Sequence, residues 1–483
     1  MPHQWFRSGS GRIAAMALAA VLGGCVVGPN YSGPPKVAAE AVSAPAFHRS
    51  GQASAEPPPS HWWTELGDPE LDHLIEAAFT ASPDVEIATA RLRQSRATLK
   101  GDRANLFPTT GANAVLLHTK GLTSAFTGQQ GGGAGGSDST LNFYDANFDA
   151  TWELDLFGGK RRAVQGDQAR AEIARANLED AEVSLAAEVA QDYVALRDLQ
   201  TRLRLALSNV EVETRMLDLV RLQRAGGAAS DLDVERLVTQ LQAARAQDSP
   251  LEAQIADRLD RLAVLTGRAP GDLDAELNPP APVPLPPEKV AVGDPAALLK
   301  RRPDVRAAER AIKQKTALIG QRTADLFPKV TLLGEVGYGS SQLSTLLSSN
   351  AFSYAAAPIL QWSPFDFGRT RARIDEAKGE RDEALGQYRK TVLGALRDAE
   401  TALETYGRQR DELKSLDAVQ ASADRAARLT TLRAQGGTAT ILDELQAESS
   451  RVNAQSNASQ ARAQLTEDFI SLQKSLGLGW SAQ

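Results

Sequence analysis

The chain contains the same half twice. PDVEIATARL from Pro83 returns as PDVRAAERAI from Pro303, and ANLFP (104–108) returns as ADLFP (324–328), both at a shift of 220. WELDLFGGKRRA from Trp152 answers WSPFDFGRTRAR from Trp362, and Gly226-Gly227 answers Gly436-Gly437, both at a shift of 210. The ten-residue difference falls beside TGQQGGGAGGSDS (127–139), an insertion confined to the first copy. A duplication this long means one structural half built twice, so each local pattern is read in pairs.

In each copy a helical pattern runs from the PDV motif to Phe107-Pro108 or Phe327-Pro328, because the residue before proline avoids the helical region. After each proline the period drops to two. Tyr144, Ala146, Phe148, Ala150, Trp152 and Leu154 alternate with Asn147, Asp149, Thr151 and Glu153, the pattern of a strand with one apolar and one polar face. Val330, Leu332, Val336 and Tyr338 share a face in the second copy, as do Phe352, Tyr354, Ala356, Leu360 and Trp362. The strand after Pro108 is weaker, since Asn113 and His118 interrupt its apolar face. Each half thus offers two strands of about ten residues, the length of a transmembrane β-strand. Four strands cannot close a barrel, and lipid does not tolerate an open sheet edge. Strands of this kind in a membrane require several chains to share one barrel.

Long helices follow. No proline interrupts the stretch from Gly158 to Ala225, a rod of about 100 Å at 1.5 Å per residue. Val189, Leu196, Leu203, Val210 and Leu217 recur at sevens, and Leu385, Val392, Ala399, Tyr406 and Leu413 do so in the same register 210 residues on; both are coiled-coil seams. Ile255, Leu259 and Leu262 on the returning helix correspond to Leu465, Phe469 and Leu472. Gly226, Gly227, Gly436 and Gly437 supply the tight reversals at the hairpin tips. Between the halves, NPPAPVPLPP (278–287) reads as an exposed polyproline-like connector.

The N-terminus is built for export: Arg7 and Arg12, an apolar run over Ile13–Leu22, then Leu22-Gly23-Gly24-Cys25. The run is too short to span a bilayer. Leu-Gly-Gly-Cys resembles a bacterial lipobox, which implies that Cys25 is lipidated (palmitate among its acyl chains) and held in outer-membrane lipid; Val26 in place of aspartate favours that membrane. The chain accordingly divides into a signal (1–24), a lipid-anchored extended tether rich in Pro, Ala and Ser (25–68), a first repeat (69–266), a proline-rich connector (267–302), a second repeat (303–477) and a tail (478–483). Cys25 is the sole cysteine, so no internal disulfide forms. A net charge of −7 gives no basis for a nucleic-acid partner. Five scattered histidines suggest no metal-ligand cluster, and no phosphate loop or His-centred triad points to an enzyme or a cofactor.

Lipobox, helix, two strands, hairpin and connector, then the same again, resemble the TolC-like outer membrane factors of the NodT or OprM type. The residues that carry the likeness are CVVGPNY from Cys25, the two LFP motifs, WELDLFG, RRPDV (301–305), FDFGR (365–369) and GGTATILDEL (436–445). The resemblance implies an α+β membrane protein: a homotrimer whose chains each give four strands to a twelve-stranded outer-membrane β-barrel, continued by a long periplasmic α-helical barrel. It implies a passive efflux channel for small toxic compounds or drugs, working with a periplasmic adaptor (membrane fusion) protein and an inner-membrane pump of the RND type. Asn147, Asp149, Thr151 and Glu153 are then barrel-lumen residues. Asp443 matches a family position where rings of acidic side chains narrow the periplasmic end, and Asp233 is its counterpart. Gln446 stands where a second acid is expected and Ala439 where some members carry a basic residue, so Asp443, Gln446 and Asp233 are the gate candidates. Two other readings stay open on the sequence: a conduit for protein or peptide secretion by a type I system, and a pore-less, periplasm-spanning coiled-coil lipoprotein.

Overall fold

The computed structural model describes residues 26–51, 53–120 and 140–480. Cys25 and the glycine-rich insertion lie outside the described residues. The chain divides into two compact units, one containing Arg93–Glu172 and Arg310–Gly386 with the N-terminal stretch to Pro34, the other Pro35–Leu92, Ile173–Glu309 and Gln387–Gln483.

The duplication is visible in the element bounds. Helices α1 (Ala39–Ser43) and α2 (Pro69–Ala81) precede α3 (Pro83–Ala104), and strands β1 (Thr109–Lys120) and β2 (Thr140–Leu154) lead into α4 (Gly159–Ala225). After α5 (Asp231–Arg245), α6 (Asp248–Leu265), α7 (Asp274–Leu277) and α8 (Pro295–Arg301), the second copy runs α9 (Pro303–Ala324), β3 (Lys329–Ser340), β4 (Phe352–Gln361), α10 (Arg369–Gln435) and α11 (Ile441–Ser475). Helices α3 and α9 are offset by 220 at both ends; α4 and α10, 67 residues each, are offset by 210 at both ends. Helix α2 and its counterpart α8 each start at an Asp-Pro pair. Asp68 accepts from the N–H of Glu70 (3.0 Å), and Asp294 from that of Ala297 (2.9 Å). An acid at the N-cap followed by proline at the first helical position starts a helix cleanly.

In the first unit the four strands form one antiparallel sheet in chain order. The indole of Trp152 donates to the carbonyl of Leu106 and that of Trp362 to Leu326, both at 3.0 Å. These paired bonds tie the end of each copy's second strand to its LFP motif. The seams in the second unit are buried as expected: Val189, Leu196, Val392 and Ala399 are fully enclosed. Phe469 and Leu472 on α11 and Leu262 on α6 complete that core.

Three expectations change. The described residues of the expected tether, 26–51 and 53–68, are packed against the rest of their units and are not a free extended tether. In the first unit, Arg162 donates to the carbonyls of Val27 and Gly28 (3.1 Å each) and to Asn30 Oδ1 (2.8 Å). In the second, Glu400 accepts the N–H groups of His48 and Arg49 at 2.8 Å, and Trp62 lies buried edge-on to Phe469. Two tryptophans bury enough apolar surface to override a proline- and serine-rich composition. The connector carries the short helices α7 and α8, and its proline-rich stretch 278–287 is not simply exposed: Pro284 is buried and its carbonyl accepts from Thr466 Oγ1 at 2.7 Å. The first returning helix is broken at Ala246-Gln247. Pro250 has no N–H, and its ring clashes with the carbonyl four residues back. Gln460 occupies the equivalent place in α11, which runs unbroken.

Candidate functional site

The sheet sorts its side chains by parity. Strand register pairs even-numbered residues with even throughout: Ala112 with Phe148, Phe148 with Val336, Val336 with Tyr354. One face therefore carries Leu116, Tyr144, Phe148, Trp152, Leu332, Val336, Phe352, Tyr354 and Leu360 in a continuous apolar surface. Leu116, Phe148, Tyr354 and Leu360 are each at least 65% exposed. An apolar surface this wide is costly in water and suited to lipid.

The other face carries a polar, internally bonded network, with Val115, Leu117, Phe143, Leu333 and Ile359 around it. Asn147 Nδ2 donates to Asp145 Oδ1 (2.7 Å) and to Glu335 Oε1 (3.0 Å), while Asn113 Nδ2 donates to Asp149 Oδ1 at 2.7 Å. Two glycines make room for this network. A Cβ on Gly111 would meet Asp149 Oδ1 at 2.6 Å, and one on Gly337 would meet the Asn147 Cβ at 2.5 Å. Asn147, Asp149, Thr151 and Glu153 thus share one face, and Asp145, Asn113 and Glu335 join them. Asn113 weakened the strand pattern because it belongs to the polar network; His118, on the apolar face, pairs with Asn142 near the strand end. Carboxylates held this way need water or counter-ions beside them.

The second candidate region is the pair of hairpin tips in the second unit. At both, Gly227 and Gly437 take positive φ (80° and 71°), while Gly226 and Gly436 do not. Only the second glycine of each pair meets the left-handed requirement that closes the preceding helix. Ser230 and Thr440 then cap the next helices. Asp443 Oδ2 accepts from Thr440 N–H (2.8 Å) and Oγ1 (2.7 Å), and the Asp443 N–H donates back to Oγ1 at 3.1 Å. Asp233 makes the same capping box with Ser230. The Thr440 backbone and hydroxyl bonds hold the Asp443 carboxyl below its ordinary range; the Ser230 bonds do so for Asp233. Both gate-candidate acids are therefore charged at neutral pH and engaged with their own helix starts. Gln446 is exposed one turn further on.

The tips differ in bulk. Met216, Leu217, Val220, Leu237 and Leu241 form a buried cluster that Leu445 enters from the second hairpin, with Ile441 packed beside it. The repeat-equivalent positions in the second hairpin hold Ala426, Ala427, Thr430, Ala447 and Arg451. The second tip has little apolar core of its own and leans on the first. A groove of about 660 Å³ runs between them, lined by Leu219, Ala229, Asp233, Gln435, Ile441 and Leu442 among others. No expectation from the sequence picked out Leu445; the signal was an asymmetry, since position 235 in the first copy is Glu.

One cluster departs from the expectation that the histidines have no metal-ligand neighbours. Glu70, His73 and Glu276 bring ligand atoms within 4.8 Å of one another. Glu70 and His73 are one turn apart on α2, and α7 folds Glu276 beside them, which spacing in the sequence does not reveal. Burial, then the adjacent Glu276 carboxylate, raise Glu70, while Arg268 at 2.7 Å lowers Glu276. Arg268 thus neutralises the cluster's most exposed acid.

Among the described residues no helix is long and apolar enough to cross a membrane; the apolar face belongs to the sheet. A four-stranded amphipathic sheet carried with duplicated 67-residue helices defines a subunit of a β-barrel channel class. The chain belongs to the Outer membrane efflux protein family, whose profile matches residues 74–268 and 295–478. It is 31% identical over 449 residues to the pyoverdine export outer membrane protein OpmQ of Pseudomonas putida, covering 91% of this chain and 93% of that one. To Nodulation protein T of Rhizobium leguminosarum bv. trifolii it is 27% identical, covering 95% and 96%. The solved outer-membrane channel OprN superimposes with a TM-score of 0.84 at 34% identity, covering 94% of this chain and all of that one. The protein is an efflux channel of the outer membrane, of the NodT/OprM type, with the fold of those channels.

Proposed function

We propose that three copies close a twelve-stranded barrel and conduct small toxic compounds or drugs passively outward, delivered by an inner-membrane pump, of the RND type, through a periplasmic adaptor. The observation that carries this reading is the two-faced sheet. Its apolar side suits lipid and its polar side cannot, so the face of Asn147, Asp149, Thr151 and Glu153 lines water in a closed barrel. Four strands per chain make three chains an ordinary small barrel. Acylation at Cys25 adds a lipid anchor at about 0.8 kcal/mol per buried CH₂. The hairpin tips are the gate, with Asp443, Gln446 and Asp233 beside the groove that an adaptor would reach; Leu222, Leu232, Leu432 and Leu442 stand exposed there. The test is complementation. Expressed with an adaptor and a proton-driven pump in a strain lacking outer-membrane channels, the protein should restore efflux of a fluorescent dye. Restoration of protein secretion with an ATP-driven exporter, and not of dye efflux, would favour the secretion reading instead.

A further inference from the structure

The two halves of one chain already display an interface of the kind that a ring of copies must repeat. In the second unit Arg306 of α9 pairs with the nearly buried Glu179 of α4. In the first unit Lys313 of α9 pairs with Glu172 of α4 at 3.0 Å, and Phe157 stacks on Phe327 with ring centroids 4.5 Å apart. All three contacts join the first copy's long helix, or the turn before it, to the second copy's PDV helix or its LFP motif. Shifting each partner by its own repeat offset gives the contacts that the second copy's long helix would make with a first-copy PDV helix. Phe157 and Phe327 become Phe367 and Phe107, which are 96% and 68% exposed. Glu172 and Lys313 become Asp382 and Arg93. Glu179 and Arg306 become Arg389 and Glu86, both exposed: opposite charges again, with the signs exchanged.

We infer that a second copy of this chain docks so that its Phe107, Glu86 and Arg93 meet Phe367, Arg389 and Asp382 of the first, and that the exchanged charge pair sets which half faces which. This rests on the reading that the channel is a ring of copies. Correct alternation brings Glu179 to Arg306 and Arg389 to Glu86. Half-skipping assembly would set Glu179 against Glu86, or Arg389 against Arg306, and like charges in contact oppose docking. The exposed phenylalanines supply apolar area for the contact, and the charges supply its register. Each copy carries one surface of each kind, so the contact is head-to-tail, the kind that makes a ring when its rotation closes.

The experiment uses the full-length protein in detergent. Glu86→Arg and Arg389→Glu should each reduce the oligomer fraction at least tenfold on dilution, and the double variant should restore it. Phe107→Cys with Phe367→Cys should give covalent dimers and trimers with a short bifunctional thiol reagent, while either cysteine alone, with Cys25 still present, should not. A wild-type oligomer whose double-cysteine variant does not cross-link, or whose charge reversals are silent or not rescued, overturns the inferred register and leaves the oligomer standing. A wild-type chain that is monomeric overturns the ring itself.

Discussion

Leu445→Ala should loosen the periplasmic end without unfolding the protein. Leu445 is 3% exposed and is the one fully buried side chain that the second hairpin adds to the Met216, Leu217, Val220, Leu237 and Leu241 cluster. Truncation removes three carbons from a packed site, at about 0.8 kcal/mol per buried CH₂. The cavity left behind adds to that, and Leu→Ala at such sites costs roughly 2–5 kcal/mol in all. A value of about 3 kcal/mol multiplies the equilibrium for local opening by about 100. The loss falls on the contact between the tips, because the 67-residue helices keep their own seams. Hydrogen exchange at amides 436–450 should accelerate by roughly that factor, while amides around Val392 and Ala399 keep their protection. Conductance of single channels in planar bilayers should rise. Unchanged exchange at the tip in a folded variant would refute the claim that Leu445 holds the second hairpin to the first, and faster exchange with unchanged conductance would refute the assignment of the tip as the constriction.

Three further outcomes follow from individual contacts. Asp443→Asn keeps a carbonyl oxygen to cap Thr440 but removes the charge, whereas Thr440→Ala removes the hydroxyl and keeps the charge; cation over anion selectivity should fall in the first and stay in the second, and an unchanged selectivity in Asp443→Asn would sink the acidic ring. Asp167, outside the membrane-spanning strands, is raised to about 6 by burial first and then by its contact with Asp102. Its folded pKa exceeds the unfolded value, so its favourable contribution is complete below pH ~4 and lost as pH rises through ~6. Asp167→Asn should therefore flatten the fall in Tm between about pH 4 and 6, and a parallel curve would contradict the assignment. Trp152→Phe should cost about 1 kcal/mol by freeing the Leu106 carbonyl, read by chemical denaturation; no loss would mean that water replaces the indole.

Much of this fold is legible in the chain because the pattern is written twice. The seam residues Val189 and Leu196 are confirmed by Ala399 and Tyr406 in the same register, and the LFP motifs mark both helix ends. The strand faces were readable from period alone, and Asn113 looked anomalous only because its partners, Asn147 and Asp149, lie on another strand. Single residues with local effects were harder to weigh: Pro250 breaks one returning helix and not the other, and the buried Trp62 pins a segment whose composition suggests a free tether. At the candidate site, Asp443 was identifiable as an acid near a turn, but its capping bonds depend on Thr440 adopting an extended backbone. Glu276 beside His73, and Leu445 in the opposite hairpin's cluster, are long-range juxtapositions that no spacing in the sequence encodes.

The central claim is that copies of this chain enclose a water-filled pore through the outer membrane. Purified protein added to a planar lipid bilayer measures this directly. Discrete conductance steps from a heat-modifiable trimer, with cation preference reduced by Asp149→Asn on the polar face of the sheet, are the expected result. A trimer that inserts and gives no steps, or steps whose selectivity ignores that face, would contradict it.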